Sequence, residues 1–431
     1  MIFDKKSLYS RKKAVRYFRL PTFENPAKAV NAYCGRDRLG KSRGFRKIGA
    51  PAQGIKGLAL YAAGKSLYCS GDDGKIYYMT EGGAFAPLSG DARFLSPPAF
   101  CDVVGSSPVR LFSDGVKVCV ALSGGLYPSE IPPFSAACYS YERLWIYADG
   151  KLRFSAPLHY ESFADAKNGG GEIALPDGRG EILALIPFDN RIYLFRERGI
   201  QKLDVRGEQT DFEITDFPFF GERILKNTIA CGEECVYFCT EAGMYRLADG
   251  GVSAFNDAYF AKYKLRPIKG AYAEGAYHLL AESGIDGEGE RAVHVFYGNG
   301  SISYHGSVTD ICALCRDNAI VCACIEEGEI GVLEAAPSVC TKWTSDWSDL
   351  GGGARKKVLE RVVLRGKGFF LLHISGEGIE RTSEVRFVKG KAELNVGLAS
   401  TYFEFTLETD SGEAEIYELS CLYTLSKGGK L

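Results

Sequence analysis

Methionine, tryptophan and histidine are scarce in this chain of 431 residues: three Met, three Trp and five His. The histidines (His159, His278, His294, His305 and His373) stand at no HExxH-type spacing, which removes the usual sequence sign of a zinc hydrolase. There is no P-loop, no strand–GxGxxG–helix unit and no GxSxG nucleophile elbow. Long apolar runs are missing too. Stretches such as Ala319 to Ile325 fall far short of the roughly 20 residues that cross a bilayer as a helix. The opening MIFDKKSLYSRKKAVRYF lacks the apolar centre of a signal peptide, so synthesis and folding in a cytoplasm are expected. No apolar stripe of helical period extends over any useful length.

What is abundant is strand and turn material. Aromatics make up 12% of the chain, with 24 Tyr and 26 Phe, and there are 51 Gly. Aromatic residues fit a pleated, half-buried surface, and glycine fits the tight turns between strands. The 14 cysteines lie mostly inside apolar runs, as Cys119, Cys239, Cys322 and Cys324 do, and read as small hydrophobes rather than as a disulfide framework. The spacing of Cys312, Cys315, Cys322 and Cys324 raises a metal site, but their apolar, strand-like setting favours packing, so no metal and no cofactor are expected.

One pattern recurs: an aromatic-rich apolar strand, a turn with Gly, and a second short strand. It is read at Ser66–Tyr78, Val109–Val118, Arg143–Phe154, Arg191–Leu203, Cys235–Leu247, Ala292–Tyr304 and Ala319–Leu333. The spacing of about 42 residues suits a four-stranded propeller blade. A lone hairpin cannot shield its apolar face, whereas a closed ring of them can. The expected fold is therefore all-β: a β-propeller of about seven blades, alternatively six, over residues 51–340, followed by a small β-sandwich over 341–431. In the latter, strands such as Lys391–Val396 and Phe403–Glu408 alternate apolar and polar residues.

Residues 1–50 form a basic N-terminal arm. They hold 14 Lys or Arg against three acids, a net +11, which leaves −13 on the remainder of a chain whose total is −2. Such an arm could meet an acidic partner or DNA non-specifically, or could fold back on its own acidic body. The candidate contacts are Arg11, Lys12, Lys13, Arg16, Arg36, Arg38, Lys41, Arg43, Arg46 and Lys47. No catalytic residue is assigned. Ser70 to Tyr77 fits the Asp-box turn of sialidase-type propellers, where the box is a structural hairpin, and it occurs once. The acidic stretch Asp286 to Glu290 lacks EF-hand spacing and reads as a solvated loop.

Several stretches resemble the propeller part of bacteriophage virion proteins of the tail and neck. They are Phe154–Pro157 with Glu161–Phe163, Ile173–Pro176 through Leu185, Asn190–Phe195 with Gly199–Ile200, and Val236–Phe238 with Gly243–Tyr245. Trp343 to Gly351, Lys356-Lys357 and Glu415–Leu419 are similar to the C-terminal module of those proteins. Asn25-Pro26 to Tyr33 and Arg43–Phe45 are a looser match to their N-terminal arm. The resemblance implies a non-enzymatic structural component of a phage or prophage particle. It would be a tail or neck adaptor that forms a homo-oligomeric ring and docks portal, adaptor or tail proteins, located in the virion and assembled in the host bacterial cytoplasm. The alternatives are a cellular propeller that serves as a protein-interaction module, and a propeller glycosidase.

Overall fold

A computed structural model describes residues 14–426, apart from 42, 52–53, 106–107, 164–168, 176–177, 208, 220–221, 285–289, 299 and 336–339. The chain divides into two compact units. One comprises Phe45–Gly298 and His305–Glu334; the other comprises residues up to Gly44, Asn299–Tyr304 and everything from Ala335 on.

The first unit is a seven-bladed β-propeller. Five blades are four-stranded antiparallel meanders read consecutively along the chain; the first begins with the strand Gly57–Ala63 and the fifth ends with Gly251–Ala254. The sixth contributes Arg266–Ala273, Ala276–Ser283 and Glu290–Tyr297 to this unit. The seventh holds Val308–Arg316, Ala319–Glu326 and Glu329–Ala335, and its fourth strand is Arg43–Gly49 from the start of the chain. Expected as part of a basic arm, Arg43–Gly49 is instead a blade strand, because the outer edge of Glu329–Ala335 would otherwise leave its N–H and C=O groups unpaired.

Adjacent blades share their apolar faces. Trp145 and Phe154 of the third pack with Leu185 and Leu194 of the fourth. Leu60 and Leu67 of the first pack with Leu314 and Ile325 of the seventh, which closes the ring. The recurring hairpins are the second and third strands of their blades, except in blade six. There the repeat assigned to Ala292–Tyr304 lies one strand late; the second and third strands are Ala276–Ser283 and Glu290–Tyr297. At Asp149-Gly150 both residues have positive φ (50° and 74°), the twist that a two-residue hairpin needs. A short helix, Asp257–Tyr263, joins blades five and six and buries Tyr259, Phe260 and Tyr263 on one side.

The second unit is a β-sandwich. Lys28–Val30, Thr341–Thr344, Glu404–Thr409, Phe369–Gly376 and Ile379–Arg386 form one sheet. In the other, Glu415–Leu425 runs beside Lys357–Lys367, which pairs with Lys391–Ser400. Leu39–Lys41 and Val15–Arg19 share the remaining edge of Glu415–Leu425. Along Phe369–Gly376 every second residue is buried, as expected of a strand with one face on a core. Most of residues 14–50 is therefore strand, in the sandwich or in blade seven, and not a free arm.

Candidate functional site

In each complete meander the first strand starts at the same end of the blade as the turn between strands two and three and the connection from the preceding blade. That end is called the top face here. The first strands of blades one to four, six and seven, together with Lys226 and Asn227 of the turn before blade five, line an axial cavity of about 510 Å³ near their top ends.

A local device shapes this cavity. The pairing of first and second strands slips between Gly57 and Ala59, between Ile182 and Ala184, between Pro267 and Lys269, and between Val308 and Asp310. Each slip leaves one residue without a cross-strand partner: Leu58, Leu183, Ile268 and Thr309. All four line the cavity. Bulges of this kind bend a strand and re-aim a side chain, and they gather near functional sites. Leu58 is 44% exposed although it sits on an innermost strand.

The charged groups of the described lining are Lys226, Lys269 and Asp310. Asp310 is buried. One of its oxygens receives Lys269 Nζ at 2.7 Å, and the other accepts from the Leu60 N–H at 2.6 Å. Blades six, seven and one thus meet at one carboxylate. Lys226 stands on a short turn that packs against Arg266–Ala273, and its Nζ donates to the Ser135 carbonyl of blade three at 2.8 Å. Among the described residues no carboxylate lies within ion-pair distance of it. The surrounding cavity wall lowers its ammonium pKa by desolvation, although the side chain remains reachable by solvent within the cavity.

Outside the cavity, the top face carries two unusually exposed apolar side chains. Leu95 lies in the connection between blades one and two, and Val116, 84% exposed, in the turn between strands two and three of blade two. Lys117 joins these loops by donating to the Arg93 carbonyl at 2.6 Å while covering the Phe94 ring.

The sequence-derived contact residues do not converge. Arg11, Lys12 and Lys13 lie outside the described residues. Arg16 is exposed on Val15–Arg19, and Lys41 ends the strand Leu39–Lys41. Arg36 lies 3.8 Å from Glu24, and Arg38 lies 3.3 Å from Glu415 and over the Tyr33 ring. Arg43, Arg46 and Lys47 belong to the blade-closing strand, where Arg46 pairs with Glu334, and Lys47 with Glu329 at 2.5 Å. Much of the described basic surplus is matched by nearby acids of its own unit. Within residues 14–50 that is the fold-back outcome; residues 1–13 of the expected arm lie outside the described residues.

Other motifs take structural places. Asp73 of the Asp-box accepts from the Lys75 N–H at 3.1 Å and from the Tyr77 hydroxyl at 2.9 Å, which fixes a blade-one hairpin. Cys312 and Cys315 lie on Val308–Arg316, and Cys322 and Cys324 are buried on Ala319–Glu326. Burial pushes the Cys312 thiol up to about 12. Residues 286–289 of the acidic stretch lie outside the described residues. No helix among the described residues is long and apolar enough to cross a membrane.

No family model and no curated protein sequence matches the chain. Solved structures do. Virginiamycin B lyase from Staphylococcus aureus is similar at 14% identity and a TM-score of 0.48, over 68% of this chain and 100% of that one. A streptogramin B lyase is similar at 12% identity and 0.45, over 74% and 97%. The WD40 repeats of RRP9 are similar at 9% identity and 0.44, over 67% and 99%. These likenesses speak for the propeller fold alone. None of the structures named here is a phage particle protein, and the expectation of a virion adaptor is corrected accordingly. The physical reason is that two of the stretches behind that expectation, Asn190–Ile200 and Val236–Tyr245, are blade hairpins turning at Gly199 and Gly243, which any propeller needs, and the others are strands and connections with no signature of their own.

Proposed function

We propose that this chain is a non-catalytic β-propeller interaction module whose top face receives a segment of a protein partner at the axial cavity. The observation that carries the reading is the set of four bulges on innermost strands. They bring Leu58, Leu183, Ile268 and Thr309 into the lining of one cavity. Closing the ring does not require them, since the first strands of blades two and three pair without a slip. The result is an apolar collar around a few polar groups, the usual make-up of a recognition pocket. Leu95 and Val116 extend apolar surface across the same face.

The alternative of a glycosidase finds less support. Its chemistry needs two carboxylates flanking the scissile bond. The described lining holds one, Asp310, already committed to Lys269 and the Leu60 N–H.

The test compares the tagged chain with Leu95→Asp and Val116→Asp combined, in cells of the source organism, by quantitative affinity capture. A protein captured by the parent chain and lost from the variant, with both melting alike, supports the reading. Identical capture profiles would refute it.

A further inference from the structure

We propose that the segment entering the axial cavity presents a carboxylate side chain, Asp or Glu, and that Lys226 is its receptor. This rests on the interaction-module reading and names the chemistry of the same site.

Charge is the first argument. The lining carries two ammonium groups and one carboxylate, all contributed by described residues. Asp310 and Lys269 neutralise each other at 2.7 Å, so the surplus of one positive charge resides on Lys226. An ammonium has three N–H donors. The Ser135 carbonyl takes one at 2.8 Å, leaving two for an incoming acceptor. Lys226 has no counter-ion among the described residues, so an anion that enters gains a charge-assisted contact there. The field of a cleft with walls of this kind is focused at its mouth and draws in the opposite charge.

The size of the surplus selects the anion. One carboxylate balances the cavity. A phosphate monoester, near two negative charges at neutral pH, would overshoot and face the Asp310 carboxylate across the same space. Neighbouring groups suit a carboxylate as well. Asn227 is exposed beside Lys226 and carries two amide donors, and Thr309, turned inward by its bulge, offers a hydroxyl. The collar of Leu58, Leu183 and Ile268 would enclose the methylene stem and its apolar neighbours.

The experiment is calorimetric titration of the full chain with three capped peptides, Gly-Leu-Xaa-Leu-Gly, where Xaa is Glu, Gln or phosphoserine. The Glu peptide is expected to bind about tenfold more tightly than the Gln peptide, the worth of one charge-assisted contact. Lys226→Met should remove that preference, and Lys226→Arg should retain it. Equal binding of the Glu and Gln peptides, tighter binding of the phosphoserine peptide, or no binding of any at millimolar concentration would overturn the assignment. The comparison of Glu with Gln on the parent chain decides even if a Lys226 variant folds poorly. Partner capture that depends on Leu95 and Val116 could persist while the Glu preference fails. In that case the carboxylate assignment falls and the interaction reading stands; capture indifferent to those residues sinks the reading itself.

Discussion

The indole Nε1 of Trp343 donates to the main-chain carbonyl of Phe23 at 3.2 Å, joining residues 320 positions apart in sequence. Their rings meet edge to face at 5.5 Å inside the sandwich core. The contact ties a strand at the start of the expected sandwich to a segment expected to be an arm. Trp343→Ala should destabilise the sandwich by about 3–5 kcal/mol, through the cavity it leaves and the carbonyl it orphans. Chemical denaturation followed by amide exchange would show the loss in sandwich amides while propeller amides keep their protection.

Lys357 is fully buried, yet its ammonium is satisfied: it donates to the carbonyls of Gly353, Arg355 and Thr401 at 2.6, 2.7 and 2.9 Å. It clamps the loop before its own strand to the end of Lys391–Ser400. Lys357→Met keeps most of the volume but strands three acceptors, at a cost of about 2–4 kcal/mol. The check is a lower urea midpoint, with Met no better tolerated than Ala.

Blade seven depends on the strand Arg43–Gly49. A side chain at Gly331 would strike the Phe45 ring and meet the Arg46 carbonyl oxygen at 2.7 Å. Gly331→Val should therefore expel that strand. Limited proteolysis is expected to cut within residues 43–49 in the variant and to spare them in the parent protein.

His294 lies buried beside Tyr259, whose hydroxyl is 3.0 Å from Nδ1. Desolvation, with a smaller push from His305, lowers its pKa from 6.5 to about 3. The folded state thus holds the neutral ring while the unfolded chain takes up a proton below pH 6.5. Stability from this group is intact above that pH and falls by about 1.4 kcal/mol per unit as pH drops towards 3. His294→Gln should flatten that slope in denaturation measured between pH 6.5 and 4.

Some of this was legible in the sequence, and the reasons are local. The pairs at Arg143–Phe154 and Arg191–Leu203 announce themselves because strand period and turn chemistry sit within a dozen residues. The blade-six repeat slipped by one strand because its second and third strands, Ala276–Ser283 and Glu290–Tyr297, stand six residues apart in sequence, while the closely spaced Gly298 and Gly300 that follow drew the assignment. The bulges at Leu58, Leu183, Ile268 and Thr309 left no sign. A bulge is a mismatch between two strands, and Gly57–Ala63 is apolar on both faces with no alternation to break. The destination of the N-terminal segment was equally hidden. Lys28 pairs with Thr344 and Val15 with Thr424, partners that only a folded sandwich supplies. The helix Asp257–Tyr263 carried a weak signal in the spacing of Tyr259, Phe260 and Tyr263, too short for a periodicity argument.

The most direct measurement places a photo-crosslinking amino acid at Leu95 on the top face and, separately, at Tyr141, an exposed residue in a turn between first and second strands on the opposite face. Irradiated in cells of the source organism, the chain labelled at position 95 is expected to give a discrete adduct with a partner protein, and the chain labelled at 141 none. Adducts from 141 alone, or the same adducts from both positions, would contradict a binding face at the mouth of the axial cavity.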